Sequence, residues 1–325
     1  MRYQALSKIL NSYWYSYNDE PICYSKKQLF PRLSHPSFLL PEESPDGLWH
    51  LFADSALGLE HYSSTSGLDW EKAHLVFPHA HYSFIYKEGS TYYLLYETHH
   101  KKHFAKKSEE KSDFSRIMLT SSTDLSLWSE PKLILDSREI KKASYRGGKE
   151  RLFSPSLVQW NGRYRLYFGA GDATLYDSKE HAAASYLVAE ADYIDGPYST
   201  ESAAIWSVDG ESEYRNLAVG NVRMIPCSDG LAALNIAYYY SEEENRSKSI
   251  LLLSTSLDGL EFSKDIVIEK TPEEGWASGY ITGVDMRYKE SDEAWYCYYS
   301  ALESKKLYGF NYTKESIGLL LGKER

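Results

Sequence analysis

The sequence predicts an all-β chain folded as a five-bladed β-propeller of four-stranded antiparallel blades. Two recurring hairpins and an aromatic-rich composition carry that reading. The first hairpin appears as HPSFLLPEESPDGLWHLFADS from His35, HYSFIYKEGSTYYLLYETH from His81 and SPSLVQWNGRYRLYFGAGD from Ser154. It returns as GNVRMIPCSDGLAALNIAYYYS from Gly220 and TGVDMRYKESDEAWYCYYS from Thr282. Each copy is a strand, a turn rich in Gly, Asp, Asn or Glu, and a second strand heavy in Tyr, Trp, Leu or Phe, which is hairpin chemistry.

A second hairpin follows the first. GLEHYSSTSGLDWEKAHLVF, SRIMLTSSTDLSLWSEPKLIL and SILLLSTSLDGLEFSKDIVIE share a strand, a Ser/Thr-rich turn, an Asp, an aromatic and a strand. ASYLVAEADYIDGPYSTESAAIW is a looser copy, and KLYGFNYTKESIGLLLGK ends the chain. Two hairpins make a four-stranded sheet, and such sheets repeated radially make a propeller. A β-sandwich with long loops is the runner-up architecture.

Residues 1–32, ahead of the first copy, read as an N-terminal arm or short helix, and the whole of 1–325 as one domain. The unit starts near 35, 82, 154, 221 and 283 are unevenly spaced, so insertions are expected at Lys101 to Asp113, Asp136 to Arg151 and Asp172 to Ala182.

Composition narrows the function classes. Of 325 residues, 42% are hydrophobic, enough for a real core, and 29 are Tyr, whose apolar ring and polar tip suit half-buried strands. A net charge of −10 argues against nucleic acid or an anionic membrane as partner. The one basic run, His99 to Lys107, is followed at once by acidic residues and reads as a solvated loop. No apolar run reaches membrane-spanning length. The N-terminus lacks a signal-peptide core, and three scattered cysteines make no metal spacing, so a reducing, cytoplasmic setting is expected.

The blades with their S-x-D-G/L-x-x-W turns resemble the five-bladed propellers of glycoside hydrolase families 43 and 32, from about Leu33 onward. The resemblance implies a sugar at one mouth of a central channel. It also implies three carboxylates at the innermost-strand starts of the first three blades: an Asp base, an Asp that orients and tunes, and a Glu acid. Here the base position reads His35, the second falls near Ser83, and the third near Phe153 or Ser154. None is a carboxylate, so the family's acid–base set does not carry over by position.

Hairpin geometry places one strand's start beside its partner's end. Strand ends therefore return Asp54, Glu97 and Asp172, read as equivalent positions in successive blades, to the same mouth as His35 and His81, read as matched blade starts. These five are the catalytic candidates. Glu97 is the favoured acid, on the expectation that burial favours its neutral form. Ser154, Ser83, Asn221, Arg223 and Asp285 are the substrate-binding candidates at strand starts, joined by Trp276 and Tyr280 in the loop EEGWASGYITG. Arg223 and Asp285 pair with each other, bind substrate or help hold a metal. One Asp does not supply the 6–8 oxygens of a calcium site, so no metal and no other cofactor is expected. Two functions fit: a glycosidase with a non-standard acid and base, or a carbohydrate-binding propeller that has lost hydrolysis. The partner is a carbohydrate in either case.

Overall fold

The computed structural model describes residues 3–25, 31–100, 113–199, 204–307 and 310–325, with the side chains of 304–307 and 310–313 left aside. After a short helix α1 (Leu6–Leu10) come β1 (Ser12–Ser16), β2 (Cys23–Tyr24), β3 (Leu33–Leu39), β4 (Trp49–Ser55), β5 (Gly58–Ser64), β6 (Glu71–Pro78) and β7 (Ala80–Glu88). Next are β8 (Thr91–His100), β9 (Phe114–Ser122), β10 (Lys132–Asp136), β11 (Leu152–Trp160), β12 (Arg163–Thr174), β13 (His181–Ala191) and β14 (Ala204–Ser207). The chain finishes with β15 (Ala218–Cys227), β16 (Gly230–Ser241), β17 (Arg246–Ser256), β18 (Ile266–Lys270), β19 (Ile281–Lys289), β20 (Ala294–Leu307) and β21 (Phe310–Glu324).

These strands form five antiparallel sheets: β3 to β6, β7 to β10, β11 to β14, β15 to β18, and β19-β20-β21-β1. The fold class is the expected five-bladed β-propeller. Blade five departs from the simple repeat. Its last hairpin is the pair β20 and β21, and the arm supplies the fourth strand, with Ser12 opposite Glu324 and Ser16 opposite Leu320. Pairing across the two ends of the chain leaves no repeat signal in either segment alone.

The S-x-D turns are built by side chains. Ser64, Ser122 and Ser256 each accept from the backbone N–H three residues on, at 2.8–2.9 Å. Asp124 then accepts from Ser126 and Leu127, and Asp258 from Leu260 and Glu261. The fourth turn position is left-handed in all three copies, at Gly67, Leu125 and Gly259. The motif is turn chemistry, with local Ser and Asp acceptors replacing ladder bonds.

Chain contacts divide into two units, residues 1–78, 223–236 and 248–325 in unit one, and 79–222 and 237–247 in unit two. In unit one, Phe38, Trp49, Leu51 and Tyr62 of blade one pack with Tyr298, Ile317 and Leu319 of blade five. In unit two, Phe84, Leu95 and Ile117 of blade two pack with Leu157, Leu166 and Phe168 of blade three. Burying each such ring or branched chain contributes about 1.5–3 kcal/mol. Buried tyrosines keep their hydroxyls satisfied: Tyr298 donates to the Gly67 carbonyl, and Tyr186 to the Ser154 and Val222 carbonyls.

The insertion from Asp136 to Arg151 is a folded cover, two short 3-10 turns that bury Ile140 and Ala143 in the unit-two core. The one from Asp172 to Ala182 is mostly an extension of the β12–β13 hairpin. The basic run after His100, Lys101 to Lys107, lies outside the described residues. Cys23, Cys227 and Cys297 are buried and unbridged. No described helix is long and apolar enough to cross a membrane.

Candidate functional site

The innermost strands of the first three blades begin with the same device. The ladder register jumps between Ser34 and Ser37 in β3, His81 and Phe84 in β7, and Phe153 and Ser156 in β11. The residue after the last regular pair is left-handed in each: His35 at φ 50°, Tyr82 at φ 54° and Ser154 at φ 43°. A bulge bends the strand and re-aims its side chains. A non-glycine residue in the left-handed region costs about 1–3 kcal/mol where it is strained, and persists only when its surroundings fix it.

This register corrects two sequence-based alignments. His81 is the counterpart of Ser34, because Ser34 faces Asp54 as His81 faces Glu97; the counterpart of His35 is Tyr82. In blade three the residue facing Phe153 is Gly169, so Asp172 lies three residues beyond the position shared by Asp54 and Glu97. The one-residue offset between His81 and Tyr82 arises in the bulge, which breaks the two-residue period used to align strands.

In unit one, His35 is only slightly exposed, and its Nδ1 lies 3.0 Å from Asp54 Oδ2. Its backbone N–H donates to Ser300 Oγ at 3.1 Å. A second carboxylate, Glu315, is fully buried nearby: Thr282 Oγ1 donates to Oε1 at 2.5 Å, and Arg32 Nε and Nη2 reach Oε2 at 3.0 and 2.9 Å. Burial pushes the Glu315 carboxyl up, but Arg32, His35 and the two hydrogen-bond donors outweigh it and hold the group below its ordinary value. Glu315 escaped the sequence reading because it sits in the irregular last hairpin, with Lys and Ser around it.

In unit two, Glu97 has no exposed surface, and Arg151 Nε and Nη2 lie 3.2 and 3.0 Å from its Oε1. Its Oε2 is buried with no hydrogen-bond partner among the described residues. The guanidinium lies over Phe153, 4.7 Å from the ring centroid, and Phe153 meets Tyr82 edge-on at 5.5 Å. Burial opposes the Arg151 charge; Glu97, Tyr82 and Asp172 more than offset it and raise the pKa. Asp172 Oδ1 accepts from His181 Nδ1 at 2.8 Å. Burial pushes Asp172 up, but the His181 bond and the charges of His181, Arg151 and Lys149 hold it below the usual carboxylate range. Neither Arg151 nor His181 belongs to a repeat copy, since both sit in insertions.

The remaining candidates are engaged in the framework. Asp285 Oδ2 accepts from Ser37 Oγ and Phe38 N–H, and its Oδ1 is 3.4 Å from Arg223 Nε. Of the three roles open to Arg223 and Asp285, mutual pairing is the one this geometry displays, and Asp285 also staples β19 to β3. Asn221 Nδ2 donates to Ser154 Oγ at 2.8 Å, and Ser83 is buried. Trp276 lies against Gly318 and is tilted on Tyr299 at 5.5 Å. Tyr280 anchors its loop through a bond from Leu302 N–H to its carbonyl. Among the described residues, no group of three His, Cys, Asp or Glu is arranged to hold a metal ion.

No family model matches the chain, and no curated protein matches it in sequence. Solved structures do. An N-acetylgalactosamine deacetylase from F. plautii, in complex with blood group B trisaccharide, superposes with a TM-score of 0.65 at 14% identity, over 94% of each chain. An exo-1,5-α-L-arabinanase from a bovine ruminal metagenomic library gives 0.59 at 12% identity, over 93% of this chain and 94% of that one. A family 43 endo-arabinanase from Bacillus licheniformis gives 0.53 at 14% identity, over 90% and 96%. The fold is that of the family 43 type glycoside hydrolase propellers. At these identities the likeness fixes the architecture of the propeller and leaves its chemistry to its own residues.

Proposed function

We propose that the protein is a glycoside hydrolase-like, carbohydrate-active propeller in which His35, held by Asp54, moves the proton. The observation that carries this reading is the His35–Asp54 pair on a left-handed residue at the start of the innermost strand of blade one. An ionised Asp54 accepts from Nδ1–H, which makes Nε2 the atom that gives or takes a proton. Imidazole has an unperturbed pKa near 6.5 and suits either role near neutral pH. The sugar lies beside His35, where β3 begins. Carbohydrate as partner is supported by the solved relatives, whose names describe sugar-cleaving or sugar-deacetylating enzymes.

One observation favours the runner-up, a propeller that binds sugar without cleaving it. Glu97, expected to serve as the acid, is enclosed and tied to Arg151. Its geometry supports a part in fixing Arg151 rather than in donating a proton.

The test is turnover and binding on a panel of aryl glycosides, arabino-oligosaccharides and N-acetylgalactosamine-containing oligosaccharides, with wild type, His35→Gln and Glu97→Gln. Removing a general acid or base lowers kcat by about 10²–10⁴-fold, and that loss is expected for His35→Gln. A wild-type rate retained in His35→Gln rejects the catalytic assignment. Binding without turnover on every sugar selects the runner-up.

A further inference from the structure

His35 occupies a backbone conformation that β-strand residues avoid, and the structure shows what holds it there. Its N–H donates to Ser300 Oγ at 3.1 Å, and Ser300 Oγ lies 2.8 Å from Thr282 Oγ1. Thr282 Oγ1 in turn lies 2.5 Å from Glu315 Oε1. The direction of every hydrogen follows from the far end. Arg32 only donates, so Glu315 Oε2 accepts from it. An ionised carboxylate only accepts, so the single Thr282 hydroxyl hydrogen goes to Oε1. Ser300 must then donate to Thr282, and its lone pairs receive the His35 amide. Three donors, the His35 N–H and the Ser300 and Thr282 hydroxyls, run in one direction and end on a buried negative charge.

We propose that Glu315 is the positioning residue of His35, acting through Thr282 and Ser300. The assignment rests on the His35 reading for its functional meaning, but the chain itself exists independently of any substrate. A carboxylate terminus is required at this place. Glutamine has the same shape, yet it carries one acceptor oxygen and an NH₂ that only donates. Facing Thr282 with its oxygen, it turns the NH₂ toward Arg32, donor against donor. Turned the other way, it leaves the Thr282 hydroxyl without its acceptor. Hydrogen bonds to ionised groups are about twice as strong as neutral ones, so the charge tightens the links above it. Gly283 completes the device, because a Cβ there would lie 2.7 Å from His35 Cα and 2.9 Å from Ser300 Oγ.

The experiment compares wild type, Glu315→Gln and Thr282→Val by amide hydrogen exchange at His35 and by kinetics on whichever panel sugar is turned over. Thr282→Val preserves shape and keeps the test open should Glu315→Gln fail to fold. Loss of exchange protection at His35, with global stability retained, is expected in both. So is a fall in kcat at unchanged KM on the order of 10²-fold, the scale for small misplacements of a reacting group. In a His35→Gln background the Glu315→Gln change should add nothing, which a general structural role would not produce. Unchanged protection at His35, or fully additive kinetic losses, overturns the proposal. If wild type turns over no sugar, the His35 reading fails by itself, and amide exchange alone still decides whether Glu315 holds His35.

Discussion

Arg151 and Glu97 form an enclosed ion pair in which two guanidinium nitrogens converge on one carboxylate oxygen, and among the described residues Glu97 Oε2 has no donor. Attraction between buried charges repays their desolvation only when the remaining polar atoms are satisfied. Removing one partner strands the other. Arg151→Met should therefore destabilise the protein by about 3–5 kcal/mol, whereas the double change with Glu97→Met should recover much of that loss. Urea unfolding of the two single variants and the double variant gives the coupling directly. A loss in the double variant equal to the sum of the two single losses would show that the pair contributes no net attraction.

The same pair shows how much of the site was legible in the sequence. The five hairpin copies located the innermost strands, because alternating apolar residues and Gly/Asn turns are local signals. They also brought His35 and Asp54 to one place, since a hairpin returns its second strand to the start of its first. Local periodicity could not see the bulges, and a one-residue jump was enough to exchange His81 for Tyr82 as the partner position of His35. Nor did it find Arg151, His181 or Glu315. Each lies outside the regular copies, and Arg151 and Glu315 acquire their roles only from partners distant in sequence, Arg151 and Glu97 being 54 residues apart and Arg32 and Glu315 283. Blade five was half-legible for the same reason, its fourth strand coming from the other end of the chain.

The contact between Asp172 and His181 contributes to stability in acid. The Asp172 carboxyl is held below its unfolded value of 3.8 despite burial, with the His181 hydrogen bond as the largest stabilising influence. A depressed carboxyl contributes stability that is complete above the unfolded pKa and is lost as pH falls through the folded one. His181→Ala removes that support and moves the folded pKa upward. The acid unfolding midpoint, followed by circular dichroism, should shift to higher pH in His181→Ala. An unmoved midpoint would mean that Arg151 and Lys149 suffice.

His61 predicts a second sensitivity to acid. It stacks on Phe52 at 4.6 Å, its Nε2 is 2.8 Å from His50 Nδ1, and His50 Nε2 is 2.9 Å from Asp46. Burial first, and then the charges of His50 and His74, push its pKa down to about 3, with Asp46 pulling weakly the other way. The folded value lies below the unfolded 6.5, so the stability His61 contributes is complete above pH 6.5 and declines as pH falls toward 3. Nitrogen-15 NMR should find its ring neutral at about pH 4.5, well below the ordinary imidazole range. Protonation near pH 6.5 would contradict the burial argument.

Gly283 tests the packing around His35 separately from its hydrogen bonds. It lacks the left-handed backbone that makes glycine necessary at Gly162, so its requirement is space alone. A methyl group there meets His35 Cα at 2.7 Å, Ser300 Oγ at 2.9 Å and the His35 ring at 3.0 Å, and the first of these is backbone that yields only if the strand moves. Overpacking of this kind typically costs about 1–3 kcal/mol. Gly162→Ala is the control, because nothing lies within 4 Å of its Cβ and only backbone strain opposes it. Both variants should lose stability in thermal unfolding. Only Gly283→Ala should also move the His35 amide and ring resonances, since it pushes the left-handed residue away from Ser300. If the His35 signals are unchanged in Gly283→Ala, strand β19 yields instead of β3, and the contact between them is softer than its distances imply.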